Sequence, residues 1–203
     1  MKLYNSVGPN PHVVRMFAAE KGLNLETVEV DLMGGENRQE AYVAKNPGGQ
    51  LPCLELDDGS HIAEITAICE YLDEVGGGDS LIGNTPEERA NTRMWVRRVD
   101  LNICETMANG FRYSEGLPLF KDRMITIPEA AEGLKSICRQ KLEWLNGLME
   151  GRNFVAGDRL TLADVLLYGF LAFGNTVGQP FDENLSNIKA WFDRMGERSS
   201  AAA

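Results

Sequence analysis

The sequence predicts an α/β unit with the element order β-α-β-α-β-β-α, followed by an all-helical unit. Three observations carry this. Residues 1–75 alternate short strand patterns with helical ones, the glycine run Gly76-Gly77-Gly78 interrupts the chain, and every periodic stretch after it has helical spacing.

Lys2 to Ser6 reads as a short strand, and Pro11 to Lys21 as a helix that stops at Gly22. Asn10 precedes Pro11, so the residue types suit a cap followed by a first helical proline. From Glu26 to Leu32 apolar and polar residues alternate, with Val28, Val30 and Leu32 on one face of a half-buried strand. Gly34-Gly35 breaks the chain, and Gln39 to Ala44 fits a short helix before Asn46-Pro47-Gly48-Gly49. Cys53 to Leu56 and His61 to Ala63 pair as a hairpin around Asp57-Asp58-Gly59-Ser60. Because proline cannot donate to a ladder, Pro52 belongs at a strand start or edge, where an X-Pro bond is often cis. A proline there leaves the backbone of Leu51 free to pair with an outside ligand. Glu64 then opens a helix in which Ile65, Ile68, Cys69, Leu72 and Val75 follow helical spacing.

Thr85-Pro86-Glu87-Glu88 has the residue types of a capping box with proline in the first turn, and that helix is expected to reach Gly110. Leu134, Ile137, Cys138, Leu142, Leu145 and Leu148 mark another helix, stopped at Gly151. Thr161 and Asp164 form a second capping box. The run Val165 to Phe173 is apolar on all sides, which places its helix at the centre of the helical unit. Leu185, Ile188, Trp191, Phe192 and Met195 trace a last amphipathic helix, and Ser199 to Ala203 carries no packing signal and is expected to be disordered.

The chain has 203 residues, 43% of them hydrophobic, and a formal net charge of −10. That charge argues against nucleic acid or an anionic membrane as the main partner. No apolar run reaches transmembrane length, and the first residues enter a strand at once rather than reading as a signal peptide. The four cysteines, Cys53, Cys69, Cys104 and Cys138, form no Cys-x-x-Cys pair and lie in apolar surroundings, as buried thiols of a reducing cytoplasm do. With two histidines and no ligand spacing, no metal site is expected.

The βαβ-α-ββα order is a thioredoxin-like arrangement. Together with the Leu51-Pro52 step, the Glu64 helix start and the stretch Phe154-Val155-Ala156-Gly157-Asp158-Arg159-Leu160-Thr161-Leu162-Ala163-Asp164, it resembles the cytosolic glutathione transferases over nearly the whole chain. The last stretch matches the family's helix-six capping signature. Leu3-Tyr4 through Gly8-Pro9-Asn10-Pro11-His12 is most similar to the bacterial beta and nu types, the nu type having asparagine where Asn10 falls. The resemblance implies a thioredoxin-like glutathione-binding domain over residues 1–78 and an all-helical domain over 85–203. It implies glutathione as co-substrate, an electrophile or disulfide as second substrate, and a homodimer built on the Glu64–Val75 and Thr85–Gly110 helices, for which Met94, Val96 and Met107 supply spare apolar content.

For the site, the resemblance implies that Leu51, before a cis Pro52, bonds the cysteinyl part of glutathione, and that Glu64 and Ile65 hold the γ-glutamyl end. Ile65 stands where the family usually has a serine whose hydroxyl binds the γ-glutamyl carboxylate. Asn10, at a helix N-terminus, is the first candidate to hold the thiolate, and Ser6 the second. Tyr4 reads as a core aromatic and His12 as a solvated surface residue. Arg93, Arg97, Arg98 and Arg112 read as a solvated helix face, with contact to a glutathione carboxylate as the lesser alternative. Two functions follow: a glutathione transferase that conjugates electrophiles or reduces disulfides or peroxides, and a non-catalytic glutathione-binding or adaptor protein on the same fold.

Overall fold

Strand β1, Lys2–Asn5, alternates half-buried and buried residues, as a strand with one covered face does. It pairs in parallel with β2, Glu26–Glu29, and antiparallel with β3, Cys53–Glu55, which pairs with β4, His61–Ala63, in the order β2-β1-β3-β4. This computed structural model describes all 203 residues and divides them into two units, 1–82 with 199–203, and 83–198.

In the first unit, helix α1 spans Pro9–Glu20 and buries Val13, Val14, Met16 and Phe17. It packs on α3, Ile65–Val75, which buries Ile68, Cys69 and Leu72. Leu3 and Leu54 face each other across β1 and β3 and are fully buried. A separate cluster of Val30, Tyr42, Leu51 and Cys53 packs with Tyr4 and Leu32, and Tyr42 comes from the short helix α2, Glu40–Val43.

Several expectations shift. Helix α1 starts at Pro9, not Pro11, so Asn10 lies inside the first turn and Gly8 occupies the cap, at φ 114°. Of two nearby prolines, Pro9 takes the first helical position because only glycine tolerates the entry angle before it. Strand β2 ends at Glu29 rather than Leu32, although the Val30 N–H still reaches the Asn5 carbonyl at 2.9 Å. The first unit continues past the glycine run to Ile82. Its buried Lys21 and Asp73 pair at 3.1 Å, Asp73 accepts the Leu81 N–H at 2.8 Å, and Lys21 donates to the Asp79 carbonyl at 2.9 Å. The C-terminal tail is ordered against expectation. Ser199–Ala202 forms a 3₁₀ turn against α1, the Ser200 hydroxyl donates to the Glu20 carboxylate, and a His12 ring nitrogen lies 3.0 Å from the Ala201 carbonyl.

The second unit is helical throughout: α4 Pro86–Val99, α5 Glu105–Arg112, α6 Leu117–Phe120, α7 Ala131–Leu148, α8 Leu162–Thr176 and α9 Ser186–Gly196. Thr85 and Glu88 form the expected box at the start of α4. A π-helical turn, Asp100–Cys104, joins α4 to α5, so the helical path runs past Gly110. Met107 and Val96 are buried in this unit's own core, which leaves Met94, at 41% exposure, as the only residue of the expected spare apolar set.

Helix α8 is the buried centre, with every residue from Leu162 to Leu171 buried. Its start depends on Asp164, whose carboxylate accepts the Thr161 N–H at 2.9 Å, the Thr161 hydroxyl at 3.0 Å, the Val155 N–H at 2.7 Å and the Trp191 indole N–H at 3.0 Å. The capping pair expected from sequence thus also ties the preceding loop and α9 to α8. Burial pushes the Asp164 carboxyl up to about 6, and the four hydrogen bonds pull the other way.

Asp164→Ala leaves three buried N–H donors unpaired at about 1–3 kcal/mol each, so a loss of about 3 kcal/mol or more is expected in denaturant unfolding. Thr161→Ala should cost about 0.5–2 kcal/mol. A carboxyl raised in the fold binds protons more readily folded than unfolded between about 4 and about 6. Its contribution to stability is therefore greatest below about 4 and falls as pH rises through about 6. The stability difference between wild type and Asp164→Asn should shrink over that window, and a difference that grows would show the sign to be wrong.

Candidate functional site

The sheet register brings three chain segments to one edge. Tyr4 stands opposite Cys53, and Cys53 opposite Ala63. Since β1 and β4 both run antiparallel to β3, the chain leaves β1 toward Ser6, enters β3 from Pro52 and leaves β4 toward Glu64, all at the same end. Neighbouring strands lie about 4.8 Å apart, so the row spans about 10 Å. That is about the length of an extended three-residue peptide.

At the middle of this edge the Leu51–Pro52 peptide bond is cis, as the sequence predicted. Leu51 is buried, yet neither its backbone N–H nor its carbonyl bonds to the chain. At one end lies Glu64, the cap residue of α3, which starts at Ile65 rather than at Glu64 itself. Glu64 has φ 69° and ψ 120° and is the only non-glycine residue with positive φ. Such a backbone costs about 1–3 kcal/mol and persists where the surroundings impose it. No side chain caps α3, and its first helical bond runs from the Ile68 N–H to the Glu64 carbonyl. The N–H groups of Ile65, Thr66 and Ala67 are thus left for a partner, at the positive end of the helix dipole. Thr66 adds a half-buried hydroxyl without a partner.

At the other end of the row is α1, which also has no side-chain cap. The Asn10 carboxamide lies half-buried in its first turn and makes no hydrogen bond within the protein. Ser6 is placed differently: it is buried and its hydroxyl donates to the Val30 carbonyl at 2.9 Å, so its proton is already committed to joining β1 and β2. The Tyr4 hydroxyl donates to Glu55 at 2.6 Å, and that bond with burial raises its pKa to about 12. Tyr4 is therefore a neutral structural phenol. Against expectation His12 is half-buried rather than solvated; burial lowers its pKa, while the tail carbonyl of Ala201 pulls it back up. Burial pushes the Cys53 thiol up to about 11, so the one cysteine at this edge stays protonated.

One chain of polar groups was not foreseen. Arg15 of α1 donates to the Asn5 side-chain oxygen, and the Asn5 amide donates to Glu29, under the end of β1. Its only signal in the sequence was the strand alternation, which places Asn5 on the buried face with Leu3. In the second unit Arg98 lies over the Trp95 ring at 4.8 Å, and Arg112 donates to Asn109 at 3.0 Å. Two cavities of that unit, of about 250 and 420 Å³, lie beside Pro180 and Phe181 and contain none of the edge residues. No three His, Cys, Asp or Glu side chains are placed to hold a metal ion, and no helix is long and apolar enough to cross a membrane.

Residues 7–75 match the family described as glutathione S-transferase, N-terminal domain, and residues 117–199 match its C-terminal domain. Glutathione S-transferase 2 of Saccharomyces cerevisiae is 31% identical over 98% of this chain and 87% of its own length. The crystal structure of a glutathione S-transferase domain-containing protein from Marinobacter aquaeolei superposes with a TM-score of 0.94 at 37% identity, covering 99% of this chain and 100% of that one. Human elongation factor 1-gamma is 29% identical over 78% of this chain and 35% of its own length. With both domains matched in order on one sheet and one helical unit, the chain belongs to the glutathione S-transferase family.

Proposed function

We propose that the protein is a glutathione transferase in which the edge formed by Asn10, Leu51 and Glu64–Ile65 holds glutathione. The observation that carries this is the register row, which places an unpaired strand-like backbone between two uncapped helix N-termini at tripeptide spacing. Leu51 offers one donor and one acceptor to the cysteinyl residue, as a neighbouring strand would. The N–H groups of Ile65 and Thr66 face the γ-glutamyl carboxylate, and the exposed Glu64 carboxylate faces its ammonium group.

Glutathione supplies a thiol nucleophile with an ordinary pKa of about 8.5. Asn10 donates its amide N–H to the sulfur, and the α1 dipole adds to that donation. Together they need to supply about 2.7 kcal/mol to lower the thiol by about two pKa units, within reach of one amide bond and a helix end. Ser6 is set aside from this role because its proton is bound to Val30. The thiolate so held forms a thioether with an electrophilic carbon, displacing its leaving group. Alternatively it attacks a disulfide sulfur, breaking the S–S bond and releasing the other half as thiolate, or a peroxide oxygen, breaking the O–O bond and releasing hydroxide or alkoxide.

Ile65 supports the second reading, a non-catalytic glutathione-binding or adaptor protein on the same fold. Without the serine hydroxyl the site lacks one charge-assisted bond, worth about 1.5–3 kcal/mol, or a ten- to hundredfold loss in affinity. The similarity to elongation factor 1-gamma is in keeping with such a role. The free Thr66 hydroxyl favours the transferase reading, since it stands one residue from the missing group. The reading also takes the protein to be cytoplasmic, where its four buried thiols remain reduced. It forms a homodimer through α3 and α4, whose exposed Val75 and Met94 remain after the core is filled. Sedimentation at micromolar concentration should give twice the chain mass, and a monomer would refute the dimer.

Calorimetric titration with glutathione tests the site. Wild type should bind at or below millimolar concentration, and its failure to do so would overturn the transferase reading and leave the adaptor reading in its place. Asn10→Ala should raise the bound thiol's pKa by about one to two units, seen in thiolate absorbance, while affinity changes little. Ile65→Ser should tighten binding about ten- to hundredfold. Glu64→Gly removes both the strain and the carboxylate. It should leave the melting temperature unchanged or higher while weakening glutathione binding, and a large loss of stability would show that the φ 69° backbone is not strained.

A further inference from the structure

We propose that Asn37, Tyr42 and Asn46 are positioning residues for glutathione, which clamp the chain just before Leu51 so that its backbone N–H faces the ligand. The proposal rests on the reading of Leu51 as the strand-like partner of the cysteinyl residue.

All three side chains are buried, and all three donate to carbonyls of two consecutive residues. Asn37 Nδ2 donates to the Gly49 carbonyl at 2.6 Å. Tyr42 donates to the Gln50 carbonyl at 2.7 Å, and Asn46 Nδ2 donates to the same oxygen at 2.8 Å. Asn46 Oδ1 also accepts the Gly48 N–H at 3.1 Å, which closes the turn on itself. The Gln50 carbonyl therefore has two donors on one oxygen.

The consequence follows from peptide planarity. The carbonyl of Gln50 and the N–H of Leu51 belong to one rigid trans unit and point in opposite directions. Holding the oxygen inward on Tyr42 and Asn46 turns the Leu51 N–H outward. Pro52 restricts the other side of Leu51, because its ring crowds the preceding residue out of the helical region and into an extended one. Leu51 is thus set from both sides, while its own donor and acceptor stay unused.

Two further observations support a clamp built for a purpose beyond folding. Asn37 Oδ1 is buried and has no hydrogen-bond partner, a cost accepted while Nδ2 holds Gly49. Gly49 has φ 58°, and a Cβ there would stand 3.1 Å from the Asn37 carbonyl, so the turn is pressed against the residue that holds it.

The test compares Tyr42→Phe and Asn46→Ala with Leu72→Val, a buried change in α3 outside the clamp, each followed by melting temperature, glutathione affinity in calorimetry and the pKa of the bound thiol. Tyr42→Phe removes only the hydroxyl and keeps the ring, which packs edge-on to Tyr4 at 6.1 Å between centroids. It should weaken glutathione binding about fivefold, and Asn46→Ala about tenfold. The thiol pKa should stay at the wild-type value, because the α1 end sets it. Leu72→Val should lower the melting temperature without changing affinity. Clamp variants that melt earlier but bind glutathione as tightly as wild type would reduce these residues to structural supports and overturn the proposal. So would an equal loss of affinity in Leu72→Val. If Asn46→Ala does not fold, Tyr42→Phe decides alone. Wild type that binds no glutathione sinks the reading of Leu51 and the clamp with it, an outcome distinct from tight binding in the variants.

Discussion

The candidate site depends on one row of backbone pairing, Tyr4 opposite Cys53 opposite Ala63. Side chains alternate across a sheet, so a slip of one residue would send Tyr4, Cys53 and Glu55 to the face of Leu3 and Leu54. The same slip would carry Leu51 and Glu64 out of line with the α1 end. Burial prevents it, since Leu3, Cys53 and Leu54 have no exposed surface and cannot exchange faces without loss of core. The spacing of the site is thus a by-product of the packing that stabilises the sheet. The register sets the spacing of the edge, while the hydrogen bonds to the Gly49 and Gln50 carbonyls set which way Leu51 faces.

That arrangement explains which polar groups are committed and which are free. Ser6, Tyr4 and Asn5 sit in or beside the paired strands, and each is bonded to the chain: to Val30, to Glu55, and to Arg15 and Glu29. Asn10, Leu51 and Thr66 sit just beyond the pairing, where the chain turns, and the Asn10 carboxamide, the Leu51 backbone groups and the Thr66 hydroxyl stay unused. A ligand can compete for the second set without breaking the first. The second unit shows the opposite choice at Asp164, whose carboxylate is saturated by four donors and buried in α8. An acidic residue in a recognisable motif is there wholly structural, which is what its capping pattern implied.

Most of the fold was legible because its signals are local. Hydrophobic period, the Thr85–Glu88 and Thr161–Asp164 pairs and the Leu51–Pro52 step each involve residues close in sequence. The failures are of another kind. Pro9 and Pro11 both suit a helix start, and choosing between them required the positive φ of Gly8, which sequence does not display. The tail Ser199–Ala202 has no periodicity, and its order comes from contacts with Glu20 and His12 some 180 residues away. Met107 and Val96 looked surplus because apolar content alone does not say which side of a helix is covered. At the site, Asn10 and Glu64 were visible through helix-start chemistry, whereas the strain at Glu64 and the Arg15–Asn5–Glu29 chain exist only once the strands are paired.

The two ends of α1 are anchored by segments remote in sequence, and this bears on how Asn10 is held. At the C-terminal end, the buried Lys21–Asp73 pair also binds the chain at Asp79 and Leu81, so the exit from the first unit and the end of α1 form one knot. Breaking a buried pair of this kind by removing one partner costs about 3–5 kcal/mol. At the N-terminal end, His12 lies two residues from Asn10 and meets the tail at Ala201. The first turn of α1, which carries Asn10, is therefore held by the last five residues of the chain as well as by the sheet. Loss of the tail would act on Asn10 through His12, two residues along the same helical turn.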